Sequence, residues 1–207
     1  MESKKYLDDI SEIKNMMSRS SRFISLSGLS GILAGVYALI GAFMASKVLG
    51  DLRTGENFIE RYAGAFSVIE QLLFIAGGVV LLAAATGIVL SHRKSKKSGE
   101  KIWDVSSKRL VINFLIPLCA GGIFCLAMLQ QSHYGLIAPA TLVFYGLACV
   151  NASKYTLGDV RYLGLTNIAL GLISTQFIGY GLYFWALGFG VLHIFYGALM
   201  YFKHDRN

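Results

Sequence analysis

The chain has 207 residues, of which 55% are hydrophobic and only 15% charged, and its formal net charge is +7. Soluble domains carry about 25% charged residues, so this composition excludes an ordinary water-exposed domain. In a soluble protein the excess of Lys and Arg would suggest nucleic acid as a partner. Here the cations flank apolar runs, the pattern of membrane topology, and no nucleic-acid partner is expected.

Residues 1–22 are polar with a helical stripe of Tyr6, Ile10, Ile13 and Met17, and Ser3 stands where an N-cap would. This predicts a short amphipathic N-terminal helix on the membrane surface or against the bundle. A docking helix for a partner is the alternative. The polar lead is too long, and the apolar run behind it too extended, for a cleavable signal peptide.

From residue 23 onward the chain predicts an all-α membrane protein with six transmembrane helices over 23–203, near 23–46, 71–91, 110–130, 135–153, 162–177 and 181–202. Residues 204–207 form the tail. Each span is free of Asp, Glu, Lys and Arg, and each approaches the roughly 20 residues that cross a bilayer. Gly31 and Gly35 in the first span form a GxxxG pair that permits close helix approach. Helical spacing from Asn57 through Phe58, Tyr62, Phe66 and Ile69 extends the second helix outside the bilayer, with Glu70 at headgroup level. Pro117 lies inside the third helix, where it should kink the helix and free the carbonyl of Asn113, four residues back.

The segment 92–109 is the most basic and is predicted as a cytoplasmic loop. Arg93, Lys94, Lys96 and Lys97, with Trp103, read as an interfacial anchor to lipid, including anionic lipid. Outside the predicted inner segments fall only Lys47, Arg53 and Arg61; the other sixteen of the nineteen Lys and Arg lie inside if the N-terminus is cytoplasmic. That bias places both termini in the cytoplasm.

The spans group into three helical hairpins, opening at Arg22, Arg109 and Arg161. The last two share Phe144-Tyr145-Gly146 and Phe195-Tyr196-Gly197, a weak repeat of parallel topology. In the last hairpin, Leu163-Gly164, Leu170-Gly171, Gly179-Tyr180-Gly181, Gly188, Gly190 and Gly197 mark an aromatic helix pair. This texture resembles the HdeD-like family of small six-helix bacterial membrane proteins. The resemblance covers about 40 residues (161–202). It implies a bacterial cytoplasmic-membrane protein with a part in acid-stress resistance, and it carries no active residue over. Where that family has a proline near the hairpin break, this chain has Ile178-Gly179.

Candidate chemistry is sparse. His193 is the one ionisable side chain deep in a span, ten residues from Lys203 and so about 15 Å from the boundary. An intramembrane ionisable group is a functional candidate by default. Packing is the other reading, with a neutral imidazole held by Tyr145 or Tyr37 at matching depth. Asn113, Asn151 and Asn167 come from three helices near one boundary and are candidates for a single polar layer. Such a layer would serve either as interhelical glue or as the floor of a solute cavity. Asp159 and Arg161, two apart at the entry to the fifth helix, read as a headgroup-level pair or as separate interfacial anchors. Cys119, Cys125 and Cys149 read as small apolar residues. No catalytic constellation, metal-ligand spacing or cofactor motif is present, so the expectation is a non-enzymatic protein without cofactor or metal. It would serve membrane stress protection or contact with lipid, a protein partner or a second copy. The alternative is a small transporter or channel for a neutral or weakly polar solute, its site near His193 and the asparagines.

Overall fold

The computed structural model describes residues 23, 26–54, 67–99 and 103–205. The expected N-terminal helix over 1–22 and residues 57–66 of the expected extension of the second helix lie outside these residues, but the junction does not. The second helix starts at Val68 behind an extended N-cap at Ser67, so it does not run unbroken from Asn57 through Ile69. Everything regular among the described residues is helical. Helix α1 is Gly28–Thr54, α2 is Val68–Ser98, α3 is Val105–Gln130, α4 is Ile137–Ala152 and α5 is Asp159–Ser174. Helix α6 is a composite rod. It starts as Gly181–Trp185, widens into a π-helical stretch over Ala186–Val191, returns to α over Leu192–Met200 and ends in a second π turn, Tyr201–Asp205.

Five helical stretches are long and apolar enough to cross a membrane: Gly28–Gly50, Val68–Lys97, Val105–Gln130, Tyr134–Tyr155 and Gly181–Lys203. The chain is therefore an all-α, multi-spanning membrane protein. Helix α5 has 16 residues, about 24 Å of rise against a hydrocarbon core of roughly 30 Å.

Local chemistry explains the helix ends. Ser67 and Glu70 form a reciprocal capping box at the start of α2: the Glu70 carboxylate accepts from Ser67 N at 2.6 Å, and the Ser67 hydroxyl accepts from Glu70 N. Glu70 is thus a cap rather than a free headgroup-level carboxylate. Asp104 and Ser107 form the same box on α3. Helix α2 does not stop near residue 91. It runs on through Arg93, Lys94, Lys96 and Lys97, so the basic stretch expected as loop begins as helix. Lys and Arg are good helix formers, and the first stop signal is Gly99, whose φ of 69° suits the left-handed cap.

The helices form two three-membered layers. In one, α1 packs against both α2 and α6; in the other, α4 packs against both α3 and α5. The layers meet along α6, which also touches α4 and α5. The last hairpin therefore does not close on itself as a pair, because α5 is drawn to α4 and α6 to α1. Glycines decide this. A Cβ at Gly35 would stand 2.6 Å from the carbonyl oxygen of Gly190, 2.7 Å from Ile194 Cγ1 and 2.9 Å from Ile194 N. A Cβ at Gly146 would meet Gly164 O, Ile168 Cγ1 and Ile168 N at the same three distances. Seven residues from each crossing a second close approach follows, Gly28 on Gly197 in one pair and Gly171 on Pro139 in the other.

Lipid tails are as apolar as leucine, so helix association in a membrane depends on such close van der Waals contact. The Gly31–Gly35 pair is consumed inside the chain, against α6. The two crossings also run in opposite senses. The start of α1 lies beside the end of α4, where Phe23 N donates to Tyr155 O. Gly28 is at that end of its pair, and Pro139 is at the far end of the other. The geometric repeat is inverted, unlike the parallel one suggested by Phe144-Tyr145-Gly146 and Phe195-Tyr196-Gly197.

Candidate functional site: a polar seam between the two layers

His193 lies on α6 where the two layers meet, and it is 7% exposed. Its Nδ1 is 2.9 Å from Gly188 O, and its Nε2 is 2.6 Å from the Tyr145 hydroxyl on α4. A carbonyl only accepts, so Nδ1 carries the hydrogen. Nε2 then offers its lone pair, and the tyrosine O–H donates to it. The neutral Nδ1–H tautomer satisfies both contacts. The imidazole is stacked at 5.8 Å on Phe189 and tilted at 5.2 Å against the Tyr145 ring.

Gly188 is five residues before His193, inside the π-helical stretch, and π turns are frequent at functional sites. Of the two tyrosines matched by depth, Tyr145 takes the histidine. Tyr37 instead meets Thr86 on α2 at 3.3 Å.

Two of the three asparagines come together. Asn151 Nδ2 on α4 donates to Asn113 O on α3 at 2.8 Å, with Asn113 Oδ1 at 3.3 Å. Asn113 O is the carbonyl that Pro117 cannot serve, because proline has no N–H four residues on. The asparagine amide of the neighbouring helix takes over that bond. Asn113 Nδ2 in turn donates to Arg109 O at 2.8 Å.

Asn167 does not join them, so the three asparagines are not one layer. It is fully buried on α5, where its Nδ2 donates to Leu163 O at 2.9 Å. Its Oδ1 lies against Gly188, 2.7 Å from where a Cβ there would stand. Asn167 Oδ1 and Ser174 Oγ are buried atoms without a hydrogen-bond partner among the described residues.

The basic residues divide by helical angle. Arg93, Lys96 and Lys97 share one exposed face at i, i+3 and i+4. Lys94, one residue on, turns into the protein. Its Nζ meets Asp205 Oδ1 at 2.5 Å and Leu26 O at 3.0 Å. Asp205 Oδ2 accepts from Ser27 Oγ and from Gly28 N at 2.8 Å, and so caps α1. Lys94 therefore clamps helix ends rather than facing outward with its neighbours.

Sequence reasoning missed this clamp; its signal was a lone aspartate in a basic tail. Asp159 pairs with Lys203 at 3.1 Å. Thr156 Oγ1 donates to Phe23 O at 2.8 Å, fastening the approach to α1 onto the α4–α5 connection. Trp103 is 63% exposed, with Lys108 Nζ 5.9 Å from its ring centre. Cys119 is exposed; Cys125 and Cys149 are buried, and all three are free thiols.

Among the described residues no group of three or more His, Cys, Asp or Glu side chains is placed to hold a metal ion. Comparison with family models, curated proteins and solved structures found no match to this chain.

Proposed function

We propose that this is a non-enzymatic six-span membrane protein, with both termini at the cytoplasmic face. In this reading it acts by contact with a lipid or protein partner rather than by moving a solute. The observation that carries it is the closure of His193: both ring nitrogens are taken up by groups of the same chain. The amide of Asn151 is likewise taken up by Asn113 O, and that of Asn113 by Arg109 O. A transport path lined by these groups would need them turned toward water. Helix α5 counts as the sixth span in this reading, because its neighbours α4 and α6 both belong to membrane-crossing stretches. The resemblance of the last hairpin makes membrane stress protection, acid stress first, the role to assay.

A second reading has its own observation. Asn167 Oδ1 and Ser174 Oγ are buried polar atoms without partners among the described residues, and such groups are ordinarily met by water or a ligand. This favours a small transporter for a neutral solute.

One experiment separates the two. In a chain with Cys119, Cys125 and Cys149 replaced by Ala, His193→Cys is exposed to a small hydrophilic thiol reagent in intact membranes. The reagent needs the thiolate and therefore water. Protection is the expected result. Rapid labelling, together with solute flux in proteoliposomes, would overturn the contact reading in favour of transport.

A further inference from the structure

Among the described residues, the carboxylates near the inner helix ends are already committed. Asp205 pairs with Lys94, Asp159 pairs with Lys203, and Asp104 caps α3. Five cations on the ends of α2 and α3 remain: Arg93, Lys96, Lys97, Lys108 and Arg109. All five are exposed, and none has a carboxylate partner among the described residues. Between them stands Trp103, an amphipathic ring at the point where the chain enters α3.

The two helix ends are tethered by a short connection. Gly99 and Trp103 are four residues apart, at most about 14 Å of extended chain. Yet α2 and α3, although consecutive, do not pack against each other. The long apolar faces below the cations are bare, with Leu82 and Val89 exposed on α2, and Ile112 and Ile116 on α3.

We infer that the ends of α2 and α3 form a binding surface for an anionic phospholipid. Its phosphate is held by Arg93, Lys96, Lys97, Lys108 and Arg109 beside Trp103, and its acyl chains lie along the bare faces of the two helices. Charge complementarity selects the headgroup, because no carboxylate of the described chain competes for these cations. The apolar faces select a lipid over a free anion. The inference rests on the contact reading above and names its partner.

The test uses the full chain purified in neutral detergent. Binding of phosphatidylglycerol and of phosphatidylcholine is counted by native mass spectrometry, and the melting temperature is recorded with each. The wild type should prefer phosphatidylglycerol. The variant Arg93→Gln/Lys96→Gln/Lys97→Gln should lose affinity by about fivefold for each charge removed. The variant Lys47→Gln/Lys154→Gln/Arg161→Gln removes as many charges elsewhere and should keep the preference. Melting in phosphatidylcholine verifies that both variants are folded.

Equal binding of the two lipids by the wild type would overturn the inference. So would equal losses in the two variants, or stabilisation by inorganic phosphate as large as that by lipid. Labelling at position 193 with solute flux would end the contact reading while leaving the lipid preference to stand or fall on its own measurement.

Discussion

Replacing Gly146 by alanine tests the helix-pairing argument most directly. The added Cβ would sit 2.6 Å from Gly164 O, about 0.8 Å inside the 3.4 Å at which ordinary contact begins. The obstacle is backbone, so no rotamer change relieves it, and α4 and α5 must part. Overpacking of this kind costs about 1–3 kcal/mol. The helix propensity of alanine returns up to about 1 kcal/mol of it. A net loss of about 1–2 kcal/mol is therefore expected. Gly35→Ala meets the same three distances against α6 and should lose the same amount within about 0.5 kcal/mol.

Gly77→Ala on α2 is the control, because nothing lies within 4 Å of its would-be Cβ. It should be neutral or slightly stabilising. The assay is reversible unfolding of the full chain in mixed micelles, followed by circular dichroism. If Gly146→Ala unfolds at the same denaturant fraction as Gly77→Ala, close glycine contact is not what pairs α4 with α5, and the account of the two layers fails.

The remaining predictions concern the polar contacts. In a cycle of Tyr145→Phe, His193→Leu and the double variant, the double variant should be less destabilised than the sum of the singles by about 1 kcal/mol; zero coupling would mean that the 2.6 Å contact contributes nothing to stability. Asn151→Ala should cost about 1 kcal/mol by orphaning Asn113 O, and adding Pro117→Ala should recover most of it, because alanine supplies the missing N–H. Additive losses in that pair would show that the asparagine does not replace the proline's lost bond. Asp205→Asn should cost about 2 kcal/mol, since it breaks a partly buried ion pair and weakens the cap of α1. Lys203→Gln, whose side chain is 63% exposed, should cost less than about 1 kcal/mol. Melting temperatures of the two variants compare them, and equal shifts would refute the difference in burial.

Much of this protein was legible from the residues alone. Long stretches without a charge must be helical in a bilayer, since unsatisfied backbone groups cost several kcal/mol each there and only helices or closed barrels avoid that. Pro117 announced an orphan carbonyl at Asn113 by the same local rule. Depth along a helix is also one-dimensional, so counting from Lys203 placed His193 about 15 Å in, level with Tyr145 and Tyr37. Which tyrosine took the histidine was not local information. It depends on the rotation of α6 about its axis, and that rotation is set by Gly190 and Gly197 closing on Gly35 and Gly28, some 155 residues or more away in the chain.

The same distinction explains Lys94. The basic run was plain, but its four cations look alike in sequence, and a single step of about 100° around α2 turns one inward to Asp205 while Arg93, Lys96 and Lys97 stay outside. Composition and period determine that the chain crosses the membrane as helices. Only the packing of small residues between distant helices decides which helices are neighbours, and therefore which polar side chains meet.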